Sequence, residues 1–152
     1  EICWYEAVAF TRWLSTRIDG PIRIDLPSEQ QWQWAAQGDD NRAYPWGNKF
    51  SKSRANTLKT GFGQSTPVDQ FRNGLSPFGV QDMCGNVYEW TLSEWDSVEV
   101  DMSGDFDRVI RGGAWDATRT AARVVMRNYA ASDSRTPDIG FRICAISSID
   151  DE

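Results

Sequence analysis

Two strand-like segments, one beginning at Arg108 and the other ending near Ile143, bracket a stretch whose composition is unlike a protein core. Val109, Ile110, Trp115, Ile139, Phe141 and Ile143 are the β-branched and aromatic types that fit a pleated, half-buried surface, and they are expected to be core strands. Between them, residues 116–138 contain no Lys, Glu, Gln, Leu or Phe and are rich in Asp, Ala, Thr, Ser and Arg. Such a stretch cannot supply a core. The rest of the chain must form a rigid frame that holds it, and the frame-held insert is where function is expected.

The remaining residues can make that frame. The chain has 152 residues, 40% of them hydrophobic, with eight Trp and seven Phe. That is enough for one domain, taken as 1–152, with a Trp-rich core. A net charge of −6 without a basic patch argues against nucleic-acid binding and anionic-membrane binding. No apolar run approaches the roughly 20 residues of a membrane-spanning helix, so membrane insertion is not expected. The chain opens at Glu1 without a Met or a signal-like apolar segment, and reads as a C-terminal fragment of a longer chain. Histidine is absent. This removes Ser-His-Asp and Cys-His catalysis and every His-ligated iron, zinc or copper site. Cys3, Cys84 and Cys144 do not lie at metal-ligand spacing and read as buried or free thiols, with a Cys3–Cys144 bridge as the lesser alternative.

In chain order, residues 4–18 have helical periodicity, with Ala7, Phe10, Trp13, Leu14 and Ile18 on the expected buried face and Asp19-Gly20-Pro21 as the stop. Residues 22–26 alternate as a short strand does. Ser28 and Gln31 form a capping box for a helix reaching about Gln37, which buries Trp32 with Ala35 or Ala36 and ends at Gly38. Trp34 fits either core or the cover of a site. Residues 38–80 have little regular period, and a long irregular segment in a small domain is usually functional or pinned. A Gly85-Asn86 turn leads into a strand over 87–92. Residues 93–107 read as an acidic loop.

Several of these segments, taken together, resemble the formylglycine-generating-enzyme (sulfatase-modifying-factor) family, a branch of the C-type-lectin fold. They are Trp4-Tyr5-Glu6-Ala7, Leu26-Pro27-Ser28-Glu29 with Trp34-Ala35-Ala36, and Tyr44-Pro45-Trp46-Gly47. Asp82-Met83-Cys84-Gly85-Asn86-Val87-Tyr88-Glu89-Trp90, Arg111-Gly112-Gly113-Ala114-Trp115 and Gly140-Phe141-Arg142 continue the match. The resemblance runs nearly the whole chain in order. It implies an α+β domain with two helices, short antiparallel strands and long ordered loops.

The resemblance also implies structural calcium at Asp82, the carbonyls of Gly85 and Val87, and Glu89, a hard-oxygen set that suits the ion. A weaker second site would use Asn56, Thr57, Thr60 and Phe62, with Thr60 standing where the family has a carboxylate. The family's oxidase binds copper(I) through two cysteines after the Arg-Gly-Gly motif. Here those positions fall near Ala117 and Ala122, and soft copper needs thiolates. No copper is therefore expected, and without His no iron.

Many residues of the insert can be reached from an Asn codon by changing its adenines. In this the chain resembles the variable proteins of diversity-generating retroelements, one group of which is itself similar to this family. The resemblance implies a variable region over 108–142 and a varied surface at Asp116, Ala117, Thr118, Thr120, Asn128, Tyr129, Ala131, Ser132, Asp133, Ser134 and Thr136. Arg123, Met126, Arg127 and Arg135 would be framework. Arg111 and Arg142 are expected to pair internally with carboxylates. Tyr with small polar residues is also the vocabulary of antibody paratopes. Three readings stand: a non-enzymatic binder of a protein or cell-surface ligand, an altered sulfatase-modifying-type enzyme, and a peptide-recognition module of a signalling or surface protein. Most Trp are expected inside; an exposed one would favour a sugar or peptide groove.

Overall fold

The computed structural model describes residues 1–97, 102 and 106–147. The elements are α1 (Trp4–Ser15), β1 (Ile22–Asp25), α2 (Glu29–Gln37), β2 (Tyr88–Glu94), β3 (Asp107–Arg111), β4 (Arg127–Ala131), β5 (Ile139–Phe141) and β6 (Cys144–Ser147).

Helix α1 begins where Glu6 accepts the Cys3 backbone N–H at 3.0 Å. It stops at Ser15, short of the expected Ile18. The Ser15 hydroxyl donates to the Ile24 carbonyl and accepts the Ile24 N–H, which clamps the helix end to β1. Its buried face is Trp4, Ala7, Val8 and Thr11. The expected face is therefore corrected: Phe10 and Trp13 are 40% and 52% exposed. Trp4 selects the rotation. Its indole N–H donates to the Thr91 carbonyl at 2.8 Å in the interior, and the Arg108 guanidinium lies 3.9 Å from the ring centroid. Phe10 is left at the rim, against Phe141. Helix α2 forms as its capping box requires, with Ser28 accepting the Gln31 N–H and Gln31 accepting the Ser28 N–H. Trp32 and Ala36 face inward, and Gly38 ends the helix at φ +70°.

From Gly38 to Val87 the chain is irregular, apart from a bridge between Tyr44 and Gly47. An interlocked asparagine pair pins it. Asn86 donates its N–H to the Asn56 carbonyl at 2.8 Å, and the Asn56 amide donates to Asn86 Oδ1 at 3.2 Å. Asn86 also accepts the Thr66 N–H and donates to the Thr66 carbonyl. Gly85 allows this approach: a Cβ there would sit 2.0 Å from the Asn56 carbonyl oxygen, at φ +77°. Gly85→Ala is expected to destabilise the fold by on the order of 3 kcal/mol, seen as a lower urea midpoint with an unchanged m-value.

The main sheet has the order β4-β3-β2-β5. β2/β3 and β3/β4 are antiparallel, whereas β2/β5 is parallel, with Glu89 opposite Gly140. The expectation of antiparallel strands alone is amended at that pair, because the chain after β4 crosses to the far edge of β2. A separate ribbon pairs β1 with β6. The largest core cluster joins Trp4, Leu26, Trp90, Ile110 and Ile139. Two smaller clusters take residues from the insert: Val124 packs with Trp32 and Met83, and Ala122 with Tyr44 and Cys84. Ile143 is exposed and Trp115 half-buried, so neither is core as expected. All three cysteines are free. Of the expected acidic loop, Ser93 and Glu94 belong to β2 and Asp107 to β3, while 98–101 and 103–105 lie outside the described residues. Among the described residues, no helix is long and apolar enough to cross a membrane.

Candidate functional site

β3 ends at Arg111, and Gly112 and Gly113, both at positive φ, turn the chain into the insert. A Cβ at Gly112 would meet the Trp32 ring at 3.1 Å. Arg111 is wholly buried and holds this corner. It donates to Glu29 Oε1 at 3.0 Å, and to Gln33 Oε1 and the Val124 carbonyl at 2.7 Å each. Burial pushes its guanidinium down to about 10, against the pull of Glu29. Arg127 shares the same Glu29 oxygen at 2.6 Å and lies over the Trp95 ring. The internal role expected of Arg111 is what the geometry shows.

Main-chain atoms do most of the anchoring of the insert. The carbonyl of Ala117 accepts from Leu58, and that of Arg119 from the Tyr44 hydroxyl. The amide of Val124 donates to Ala43, and the carbonyl of Ser132 accepts from Trp4. β4 is held by its ladder to β3. Side chains at Asp116, Thr118, Thr120, Asn128, Tyr129, Ala131 and Asp133 are exposed; Ser134 and Thr136 are half-buried. Ala117 and Ser132, at 7% and 4% exposure, are not on the expected surface. Ala117 packs beside Gly113, and the Ser132 hydroxyl donates to the Phe106 carbonyl. Among the framework residues, Arg135 is exposed and pairs with Glu6, and Arg123 and Met126 are exposed.

Ala117 and Ala122 do come together. A Cβ placed on Gly113 would lie 3.2 Å from the Ala117 methyl and 3.0 Å from that of Ala122. Both methyls thus line the same Gly113 corner, and neither residue carries a thiol. Cys84 packs in the same cluster as Ala122, but burial, helped by nearby Asp82, pushes its thiol up to about 12. It stays protonated and is a poor metal ligand.

Asp82 and Glu89 frame a second locus. Glu89 is buried and accepts from Arg142 at both oxygens, 2.5 and 2.6 Å, and from the Trp32 indole at 2.5 Å. Arg142 is thus internal, as expected, and also donates to the Gln81 carbonyl. Asp82, at φ +55°, has a buried Oδ2 with no partner, and burial followed by Glu89 pushes its carboxyl up to about 6. The Gly85 and Val87 carbonyls accept no hydrogen bond among the described residues. Asp82 Oδ2 and the two carbonyls are oxygens of the kind a hard cation takes, whereas both Glu89 oxygens already accept from Arg142. No cluster of three acidic or Cys side chains occurs among the described residues, so such an ion would depend on the two carbonyls. In the weaker second set, the Thr57 and Thr60 oxygens are already engaged. Thr60 Oγ1 accepts the Thr57 N–H and donates to the Ala55 carbonyl, and Thr57 O accepts from Thr60. Hydrogen bonds close that loop where a carboxylate would be needed. Asn56 gives its amide N–H groups to the interlock while its buried Oδ1 has no partner, and Phe62 is exposed with its ring against Phe71.

Two helices on short strands, long ordered loops and a Gly-Gly turn into a backbone-anchored insert define an α+β domain of the C-type-lectin fold. The chain belongs to the sulfatase-modifying factor family, whose enzyme 1-like domain matches residues 1–146. It is 33% identical over 95% of its length to the inactive C-alpha-formylglycine-generating enzyme 2 of Bos taurus, covering 48% of that protein. It is 30% identical to the formylglycine-generating enzyme of Mus musculus, covering 95% of this chain and 43% of that one. The chain therefore spans about half the length of these curated relatives. Treponema denticola variable protein 1 shares the fold, with a TM-score of 0.82 at 21% identity, over 96% of this chain and 69% of that one.

Proposed function

We propose that this domain is a non-enzymatic binding protein that displays a diversified surface, as variable proteins of diversity-generating retroelements do. Its partner is a protein or cell-surface molecule rather than nucleic acid. One observation carries the reading: main-chain hydrogen bonds tie the insert to the frame at Ala117, Arg119, Val124 and Ser132, while the exposed side chains of Asp116, Thr120 and Asp133 make no hydrogen bond among the described residues. A main-chain anchor survives side-chain replacement, so such a surface can vary without loss of the fold. The inactive relative and the paired methyls at Ala117 and Ala122 support a non-catalytic role.

The decisive test is the DNA encoding residues 108–142. A nearby near-identical repeat that differs at adenines, together with a reverse-transcriptase gene, is the expected finding; without them the diversified reading fails. At the protein level, replacing Asp116, Thr118, Thr120, Asn128 and Asp133 together with alanine should shift Tm by less than about 3 °C. A large loss of Tm would mean that these side chains support the fold. Copper(I) titration should give no thiolate-to-copper absorption, and tight binding would restore the enzyme reading.

We further propose that calcium braces the Asp82–Glu89 loop, on the support of the unpartnered Asp82 oxygen and the open carbonyls. A carboxyl that titrates near 6 when folded and near 4 when unfolded takes protons more readily in the fold. In chelator its contribution is therefore full below about pH 4 and is lost as pH rises to about 6. Calcium at pH 7 should raise Tm, and the rise should shrink towards pH 5, where protons compete for Asp82. Asp82→Asn should abolish both effects in calorimetry. An unchanged wild-type Tm with calcium at pH 7 would remove the ion.

A further inference from the structure

Helix α2 turns Trp32 and Ala36 inward, and Gln30, Gln33, Trp34 and Gln37 line a groove of about 480 Å³ on its other side, with Glu29 and Arg127 also in its lining. Trp34 is 56% exposed, and Phe78 backs it at 5.7 Å. The polar wall is pre-set. Arg111 donates to Gln33, Gln33 donates to Gln37 at 3.1 Å, and the buried Gln37 donates to the Arg42 carbonyl. Arg127 is held by Glu29 at Nε and by the Trp95 carbonyl and ring, yet its side chain stays 41% exposed and lines the groove.

Charge distinguishes this groove within an acidic chain. Arg111 and Arg127 share one oxygen of a single carboxylate, Glu29, which leaves a cationic surplus beside Glu29. Arg111 Nε, buried, has no partner. A ligand that fits must offer a negative group to Arg127, an apolar face to Trp34 and a hydroxyl-rich edge to Gln30 and Gln33. A purely apolar peptide side chain would use Trp34 but offer nothing to the Arg127 charge. A pyranose ring has one apolar face and a polar rim, and a ring carboxylate supplies the charge for the Arg fork.

We propose that this groove binds an acidic pyranoside, with the ring stacked on Trp34 and the carboxylate at Arg127. The site rests on α2 and does not require the insert to be diversified. The test follows the Trp indole N–H signals of the full chain during titration with sodium glucuronate, methyl β-glucoside and sodium acetate. Glucuronate is expected to bind at around the millimolar level, with the other two at least about tenfold weaker. Trp34→Leu, at an exposed position, should abolish binding with Tm unchanged. Arg127→Gln should reduce glucuronate to the level of the neutral glucoside, while Thr118→Ala should change nothing. If Arg127→Gln does not fold, Trp34→Leu decides alone. Absence of glucuronate binding, equal binding of acetate, or unaltered binding by Trp34→Leu would each overturn the proposal.

Discussion

Arg111→Ala is expected to leave little folded protein at 37 °C. The side chain is wholly buried and serves Glu29, Gln33 and the Val124 carbonyl at once. Its loss strands a buried carbonyl and an amide, and leaves Glu29 with only the half-exposed Arg127. Breaking a buried ion pair from one side costs about 3–5 kcal/mol. For a domain of this size that corresponds to roughly 10 °C or more in Tm. Arg111→Met should not rescue it, because a thioether donates nothing to Val124. Differential scanning calorimetry beside the five-alanine surface variant gives the comparison. A Tm loss for Arg111→Ala no larger than that of the surface variant would contradict the frame-and-insert division.

Glu89→Ala should have an effect of similar size for the opposite reason. It leaves a cation, Arg142, buried beside Asp82 with the Gln81 carbonyl as its remaining hydrogen-bond acceptor among the described residues, and takes the partner from the Trp32 indole. A loss of about 3–5 kcal/mol is again expected. The double variant Glu89→Leu/Arg142→Leu should lose less than the sum of the two single changes, because neither charge is then stranded. Additive losses in a urea double-mutant cycle would show that the pair is not coupled. The same Glu89 change should remove any calcium-dependent rise in Tm.

These two arginines explain how a chain with so little regular structure holds its loops. Arg111 ties β3 to α2 and to the insert at Val124. Arg142, just past β5, ties that end of the chain to β2. Each reaches a carboxylate far away in sequence through planar, multi-donor geometry that Lys would not reproduce. The insert meets this frame mostly through its backbone, which separates what must be kept from what can change.

Local chemistry made much of this legible in advance. Ser28 and Gln31 fix the start of α2 because a capping box needs only residues three apart. Gly38 fixes its end, and the apolar ends of the 108–142 stretch mark β3 and β5. The absence of His removed His-based chemistry without any coordinates. Partners distant in the chain decided the rest. Phe10 and Trp13 have the right spacing for a core face, but Trp4 takes the interior because Thr91 and Arg108 are there to receive it. Ala117 and Ser132 look like loop residues and are buried by Gly113, Phe106 and Trp4. The groove beside Trp34 depends on Arg127 meeting Glu29 across the domain. Sequence alone determined the family, the helix limits set by caps and the absence of His-based chemistry. Tertiary structure decided which faces are buried and which side chains share a site, because burial and charge pairing are properties of contacts between residues that the chain order keeps far apart.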